Sequence, residues 1–98
     1  MPDRTPLNES TIRSALESLD GWSYSDDRIS RSFEFSSFRE AMGFITRLSF
    51  ECEDMDHHPE LHNVYNQVDV SLNTHDAGGK VTETDIELAR RINEFSWV

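Results

Sequence analysis

Gln67-Val68-Asp69-Val70-Ser71-Leu72-Asn73 is the cleanest two-residue alternation in the chain. Val68, Val70 and Leu72 fall on one side and Gln67, Asp69, Ser71 and Asn73 on the other. Successive strand side chains point to opposite faces, so the pattern predicts a half-buried strand in a sheet with one covered face. Residues 61–65 form a candidate strand just before it. Upstream, Ile29, Arg31, Phe33 and Phe35 alternate in the same way with Arg28, Ser30, Ser32 and Glu34. Asp26-Asp27 marks a turn that joins this strand to the short aromatic segment 22–25, giving a hairpin.

Helical periodicity surrounds these strands. In residues 7–19, Ile12, Ala15, Leu16 and Leu19 recur at helical spacing, with Asn8 or Ser10 as N-cap and Gly21 as stop. Ser37-Phe38-Arg39-Glu40 fits a capping box. Behind it Phe38, Ala41, Met42, Ile45, Leu48 and Cys52 make one stripe that ends near Met55, where Asp56-His57-His58-Pro59 interrupts it. Thr82-Glu83-Thr84-Asp85 opens a last helix in capping-box fashion, with Asp85 where glutamate is usual. Ile86, Ala89, Ile92 and Phe95 lie on or near one face of it. Residues 76–80 read as a loop. The order predicts an α+β fold, α-β-β-α-β-β-α, with a four-stranded antiparallel sheet and helices on one face. With no internal linker or repeat, residues 1–98 form one domain.

Composition narrows the partners. The chain has 98 residues, with 9 Lys+Arg against 19 Asp+Glu, a net charge of −10. Such a length buries roughly 65% of its unfolded surface, enough for one modest core. The charge repels phosphate, so nucleic acid and anionic membranes are disfavoured as partners. No apolar run reaches bilayer length, and the N-terminus lacks a signal-peptide core. The single cysteine, Cys52, allows no intramolecular disulfide and sits on an apolar stripe as a small buried hydrophobe. A reducing, cytoplasmic location follows as the expectation.

His57, His58, His62 and His75 are the only histidines and fall close together. Five of the 19 acids, Glu51, Glu53, Asp54, Asp56 and Glu60, crowd the tandem pair. Carboxylates favour imidazolium, and a histidine so placed serves as general acid and then as base. Metal binding is the weaker explanation. Cys52 has no second cysteine beside it, and Pro59 followed by strand-like residues breaks the helical spacing of His58 and His62. Ser71 and Thr74 lie near His75 without a nucleophile elbow, and Gly78-Gly79-Lys80 lacks the full phosphate-loop pattern.

Asp56-His57-His58-Pro59-Glu60, Asn63-Val64-Tyr65-Asn66 and Leu72-Asn73-Thr74-His75-Asp76 together closely resemble the pterin-4a-carbinolamine dehydratase family. The resemblance extends more loosely to the Gly21-Trp22 pair and the helix at 82–93. It implies the same α-β-β-α-β-β-α fold. It also implies dehydration of 4a-hydroxytetrahydrobiopterin to quinonoid dihydropterin and water, which recycles a pterin cofactor. No metal or bound cofactor is needed for that reaction. By motif position, His57 and His75 are the acid/base pair, and His58 binds and orients while sharing the proton transfers. Asp56, Asn73, Thr74 and Asp76 contact the pterin, and Glu53 tunes the imidazoles. Asp85 matches an acidic family position, although capping alone accounts for it. Leu61 stands where the family often has an aromatic residue, which implies a weaker stacking wall. The loop from His75 to Thr82 is one residue longer than in animal members. The family also implies a homodimer or homotetramer. A non-catalytic dimerisation module that regulates a protein partner is the competing reading.

Overall fold

The computed structural model describes residues 3–98. The alternating stretch becomes β4 (Gln67–Leu72), in which Val68, Val70 and Leu72 are fully buried. β4 pairs antiparallel with β2 (Arg28–Glu34) on one side and β3 (Glu60–Val64) on the other, and β2 pairs antiparallel with β1 (Ser23–Ser25). The sheet order β1-β2-β4-β3 leaves β1 and β3 at the edges. The register sets Phe33 against Val68 and Ile29 against Leu72 on the covered face. On the polar face it sets Ser32 against Asp69, and the Ser32 hydroxyl donates to that carboxylate at 2.7 Å. Both residues of the β1–β2 turn, Asp26 (φ 52°) and Asp27 (φ 60°), are left-handed, as a tight hairpin twisted like its strands demands.

Three helices complete the predicted order: α1 (Glu9–Leu16), α2 (Phe38–Met55) and α3 (Glu83–Phe95). Their apolar sides meet the sheet in one core that includes Ile12, Phe33, Phe44, Val70 and Ile92. Phe44 lies at its centre, its ring 4.7 Å from that of Phe33 and 5.0 Å from that of Phe35.

The boundaries and one helix face differ from the sequence pattern. Asn8 is the N-cap of α1, and Leu7 lies outside the helix because its N–H bonds to the Val81 carbonyl at 2.9 Å. Beyond Leu16 the chain tightens into three-residue turns, so Leu19 is buried without being α-helical. Gly21 follows with φ +86°, and Arg31 crosses where a Cβ would stand. On α2 the buried positions are Ala41, Phe44, Leu48, Cys52 and Met55. Phe38 is exposed, and Met42 and Ile45 are half-buried. The stripe is rotated because Phe44 fills the space above Phe33. β3 begins one residue earlier than the pattern predicts and ends at Val64, because Tyr65 turns left-handed (φ 51°) to start the return into β4.

Candidate active site

The site begins where α2 ends. Asp56 takes the left-handed conformation (φ 49°, ψ 48°), which aspartate tolerates better than most residues. Its N–H bonds to the Glu53 carbonyl, and the N–H of His57 bonds back to Cys52 at 3.0 Å. This pair of bonds closes the helix in a Schellman-type turn. The turn splits the tandem histidines, so that His57 is only 4% exposed while His58 stands in solvent. The Met55 and Asp56 carbonyls accept from Arg4 Nη2 at 3.3 and 3.1 Å. α2 has no basic residue in its own last turn, so Arg4 supplies the positive charge that its C-terminus favours.

Inside the fold, His57 meets Asp85. Asp85 is the third residue of α3 and completely buried. Its Oδ1 lies 2.5 Å from His57 Nε2, while Oδ2 accepts from the Thr74 hydroxyl at 2.8 Å and the Thr82 N–H at 2.9 Å. The Thr74 hydroxyl spends its one proton on Asp85, so the Thr82 hydroxyl donates to Thr74 across 2.7 Å. A buried carboxylate is tolerated only with such partners. A carboxylate only accepts, so His57 donates through Nε2–H. This fixes the ring as an oriented imidazole, the arrangement familiar from acid–histidine pairs in hydrolytic triads. Asp85 therefore does more than cap α3: it closes the capping box and anchors a histidine 28 residues away in sequence.

A cleft of about 320 Å³ opens beside this pair, lined by Arg4, Asp56, His57, His58, Asn73, His75 and Asp76. Besides the N-terminal segment that carries Arg4, three elements bring these groups together. α2 delivers Asp56 and His57-His58, the end of β4 delivers Asn73, and a single 3-10 turn (His75–Ala77) delivers His75 and Asp76. The turn is held by Thr74, whose carbonyl accepts from Ala77 and Gly79 and whose N–H bonds to Lys80, and by Asn73 Nδ2 on the Gly79 carbonyl. Gly78 (φ 72°) and Gly79 (φ 76°) permit this tight reversal. The Thr74 side chain lies under the cleft, fully buried in the Asp85 network. Glu53 lies outside the cleft lining and pairs with His58 Nε2 at 2.7 Å. His62 is apart from the cleft, on β3, 3.5 Å from Asp69. Among the described residues, no group of three or more His, Cys, Asp and Glu side chains is arranged to hold a metal ion.

The acids that crowd the histidines in sequence mostly serve other partners. Glu51 pairs with Arg47 and Arg91, and the Arg47 bond foremost holds its carboxyl below the usual range. Asp54 pairs with Arg91 at 2.7 Å, and Glu60 faces Arg28 at 3.6 Å. Of the five, Asp56 lines the cleft and Glu53 bonds a histidine. The local carboxylate field expected from the sequence is thus replaced by one buried acid from α3.

The family model "Pterin 4 alpha carbinolamine dehydratase" matches residues 5–95. The chain belongs to this family. A relative from Opitutus terrae named "Putative pterin-4-alpha-carbinolamine dehydratase" is 51% identical over 94 residues, covering 96% of this chain and 97% of the relative. A protein of the same name from Mesorhizobium japonicum is 50% identical over 94 residues, covering 94% of this chain and 95% of its own. The crystal structure of a "transcriptional coactivator/pterin dehydratase" from Brucella melitensis superposes with a TM-score of 0.87 at 46% identity, over 92% of this chain and 97% of that one. A pterin dehydratase-like protein described as a RuBisCO assembly factor of the alpha-carboxysome shares the fold, with a TM-score of 0.63 at 19% identity over 76% of this chain and 87% of that one.

Two residues stand differently from the sequence expectation within this family site. Leu61, at the position that is often aromatic in the dehydratase family, is not in the histidine cleft. It lines an adjacent, mostly apolar groove of about 320 Å³ with Ile45, Leu48, Cys52 and Pro59, and the groove and the cleft share His58. Its size therefore bears first on that groove, which meets the cleft at His58. Arg4 is in the cleft and is marked by no motif. The one signal was a lone arginine just ahead of α1, which means nothing until the fold brings it to the end of α2.

Proposed function

We propose that this protein dehydrates a 4a-hydroxytetrahydropterin to quinonoid dihydropterin and water by histidine acid/base chemistry. The observation that carries the reading is one cleft lined by His57, His58 and His75, with His57 oriented from behind by Asp85. The leaving hydroxyl sits on a carbon that also bears nitrogen. An acid protonates the oxygen, the nitrogen lone pair expels water as the C–O bond breaks, and a base takes the N–H proton as the C=N bond forms. One proton is given and one is taken, so no net charge accumulates.

His57 suits the base role. With Nε2–H committed to Asp85, its other nitrogen, Nδ1, carries the lone pair, which accepts from Arg4 Nη1 at 3.5 Å until substrate takes that place. His75 suits the acid role: it is exposed on the 3-10 turn, and its ring has no side-chain partner among the described residues. His58, held by Glu53, orients substrate and shares the transfers. Asp56, Asn73 and Asp76 supply hydrogen-bonding groups for a polar heterocycle, and Thr74 supports the cleft floor. The protein so read acts in the cytoplasm as a homodimer or homotetramer.

Disappearance of synthetic 4a-hydroxytetrahydropterin, followed by ultraviolet absorbance, tests the reading. Wild-type protein is expected to exceed the His57→Ala/His75→Ala double variant by about 10²-fold or more. Equal rates overturn the reading. The description of the Brucella relative as a coactivator as well as a dehydratase favours the second reading, an interaction module. Equal rates together with recovery of a stoichiometric regulatory partner would establish it.

A further inference from the structure

We propose that Arg4 is a positioning residue for His57, so that the N-terminal arm forms a working part of the site. This rests on the acid/base reading of the cleft. The arm is tied down on both sides of Arg4. The Asp3 carbonyl accepts from the Thr84 hydroxyl at 3.2 Å, Pro6 bridges Thr82, and the Leu7 N–H bonds to Val81 at 2.9 Å. These anchors are all at the start of α3, the turn that carries Asp85. From there Arg4 reaches across to the end of α2, the turn that delivers His57, and donates to its last two carbonyls. One side chain thus links the two elements whose separation sets the His57–Asp85 bond.

The same guanidinium places Nη1 3.5 Å from His57 Nδ1. Arginine has donors only, so in this contact Nη1–H donates and Nδ1 accepts, which requires the lone pair on Nδ1. Asp85 selects Nε2 for the proton, and Arg4 selects Nδ1 for the lone pair. Between them the ring is held in one tautomer and one orientation at the cleft. Asp85 acts from the buried side and Arg4 from the cleft side, where it is half-buried.

Arg4→Gln and Arg4→Lys in the full chain separate this role from simple clamping. Glutamine can donate to a carbonyl but has no second nitrogen to place against Nδ1, whereas lysine keeps three donors on one nitrogen. Two-bond proton–nitrogen NMR spectra of the His57 ring at neutral pH are expected to show bare Nδ1 and protonated Nε2 in the wild type and in Arg4→Lys. In Arg4→Gln the Nδ1 and Nε2 signals are expected to move towards each other as the second tautomer becomes populated. The same variant is expected to lower kcat about tenfold with KM changed less than about threefold, a partial loss of the catalytic histidine's contribution, and Arg4→Lys to recover most of it. A wild-type ring signature and kcat in Arg4→Gln overturn the proposal. Loss of the signature in Arg4→Lys overturns it as well, even if Arg4→Gln fails to fold. Absence of turnover in the wild type sinks the dehydratase reading instead, and the ring signature alone then decides the role of Arg4.

Discussion

Two acid–histidine pairs stand at the end of α2 and differ in their surroundings. His57–Asp85 is at 2.5 Å, with side chains 5% and 0% exposed. His58–Glu53 is at 2.7 Å, with side chains 59% and 78% exposed. The histidines are neighbours in the chain. Glu53 is five residues from its partner, whereas Asp85 is 28 residues from its own. Among the described residues no other side chain bonds to the local pair, which is screened by water. The distant pair carries the junction of α2, α3 and the end of β4, because Asp85 also accepts from Thr74 and Thr82. Proximity in sequence therefore produced the weaker contact, and burial produced the one that fixes the orientation of a histidine in the cleft.

The comparison can be broken at either pair. His57→Ala is expected to lower kcat/KM by about 10²- to 10⁴-fold, the usual contribution of a positioned general base, as measured by absorbance of the hydroxypterin. Asp85→Ala strands the donors of His57, Thr74 and Thr82, and is expected to cost about 3 kcal/mol or more in urea unfolding. A loss below about 1 kcal/mol would show that water or a neighbouring group replaces the carboxylate. Glu53→Gln, by contrast, is expected to change stability by less than about 0.5 kcal/mol in the same measurement, since the pair is exposed.

The smallest effect concerns Cys52, one turn before His57 in α2 and against the apolar groove. Burial, with help from Glu53, pushes its thiol up to about 11. The folded state thus favours the protonated form. Its contribution to stability is complete below the unfolded value of about 8.5 and is lost as pH rises through about 11. Native labelling by a thiolate reagent is expected to be very slow at neutral pH and to quicken as the solution approaches that value. Rapid labelling at neutral pH would show the groove to be more open, and the thiol more reactive, than the packing allows.

Legibility in the sequence followed the range of the interactions. The alternation of Val68, Val70 and Leu72, the Asp26-Asp27 turn and the caps Ser37 and Thr82 are local signals, and each produced its element. The rotation of α2 was not local: Phe44 is buried because Phe33 and Phe35 come up beneath it from β2 and its end. The tandem histidines and His75 were visible as residues of the right chemistry, and family motifs grouped them. Their environments were not visible. The left-handed turn at Asp56 sends His57 inwards and leaves His58 outside, and no spacing rule reveals which. Asp85 was legible as a cap and illegible as a partner of His57, because one carboxylate serves both and only the fold brings His57 to it. Arg4 carried no pattern at all, since its partners, two backbone carbonyls and the His57 ring, lie 51 to 53 residues away in the chain.

The most direct test sets one conservative change in each acid side by side. Asp85→Asn keeps the size of the buried acid but offers His57 Nε2 a donor, which favours the wrong tautomer, while Glu53→Gln makes the same chemical change in solvent. Turnover of 4a-hydroxytetrahydropterin is expected to fall about 10²-fold in Asp85→Asn and less than about threefold in Glu53→Gln. Equal turnover by the two variants would contradict the assignment of the buried pair as the one that prepares the catalytic histidine.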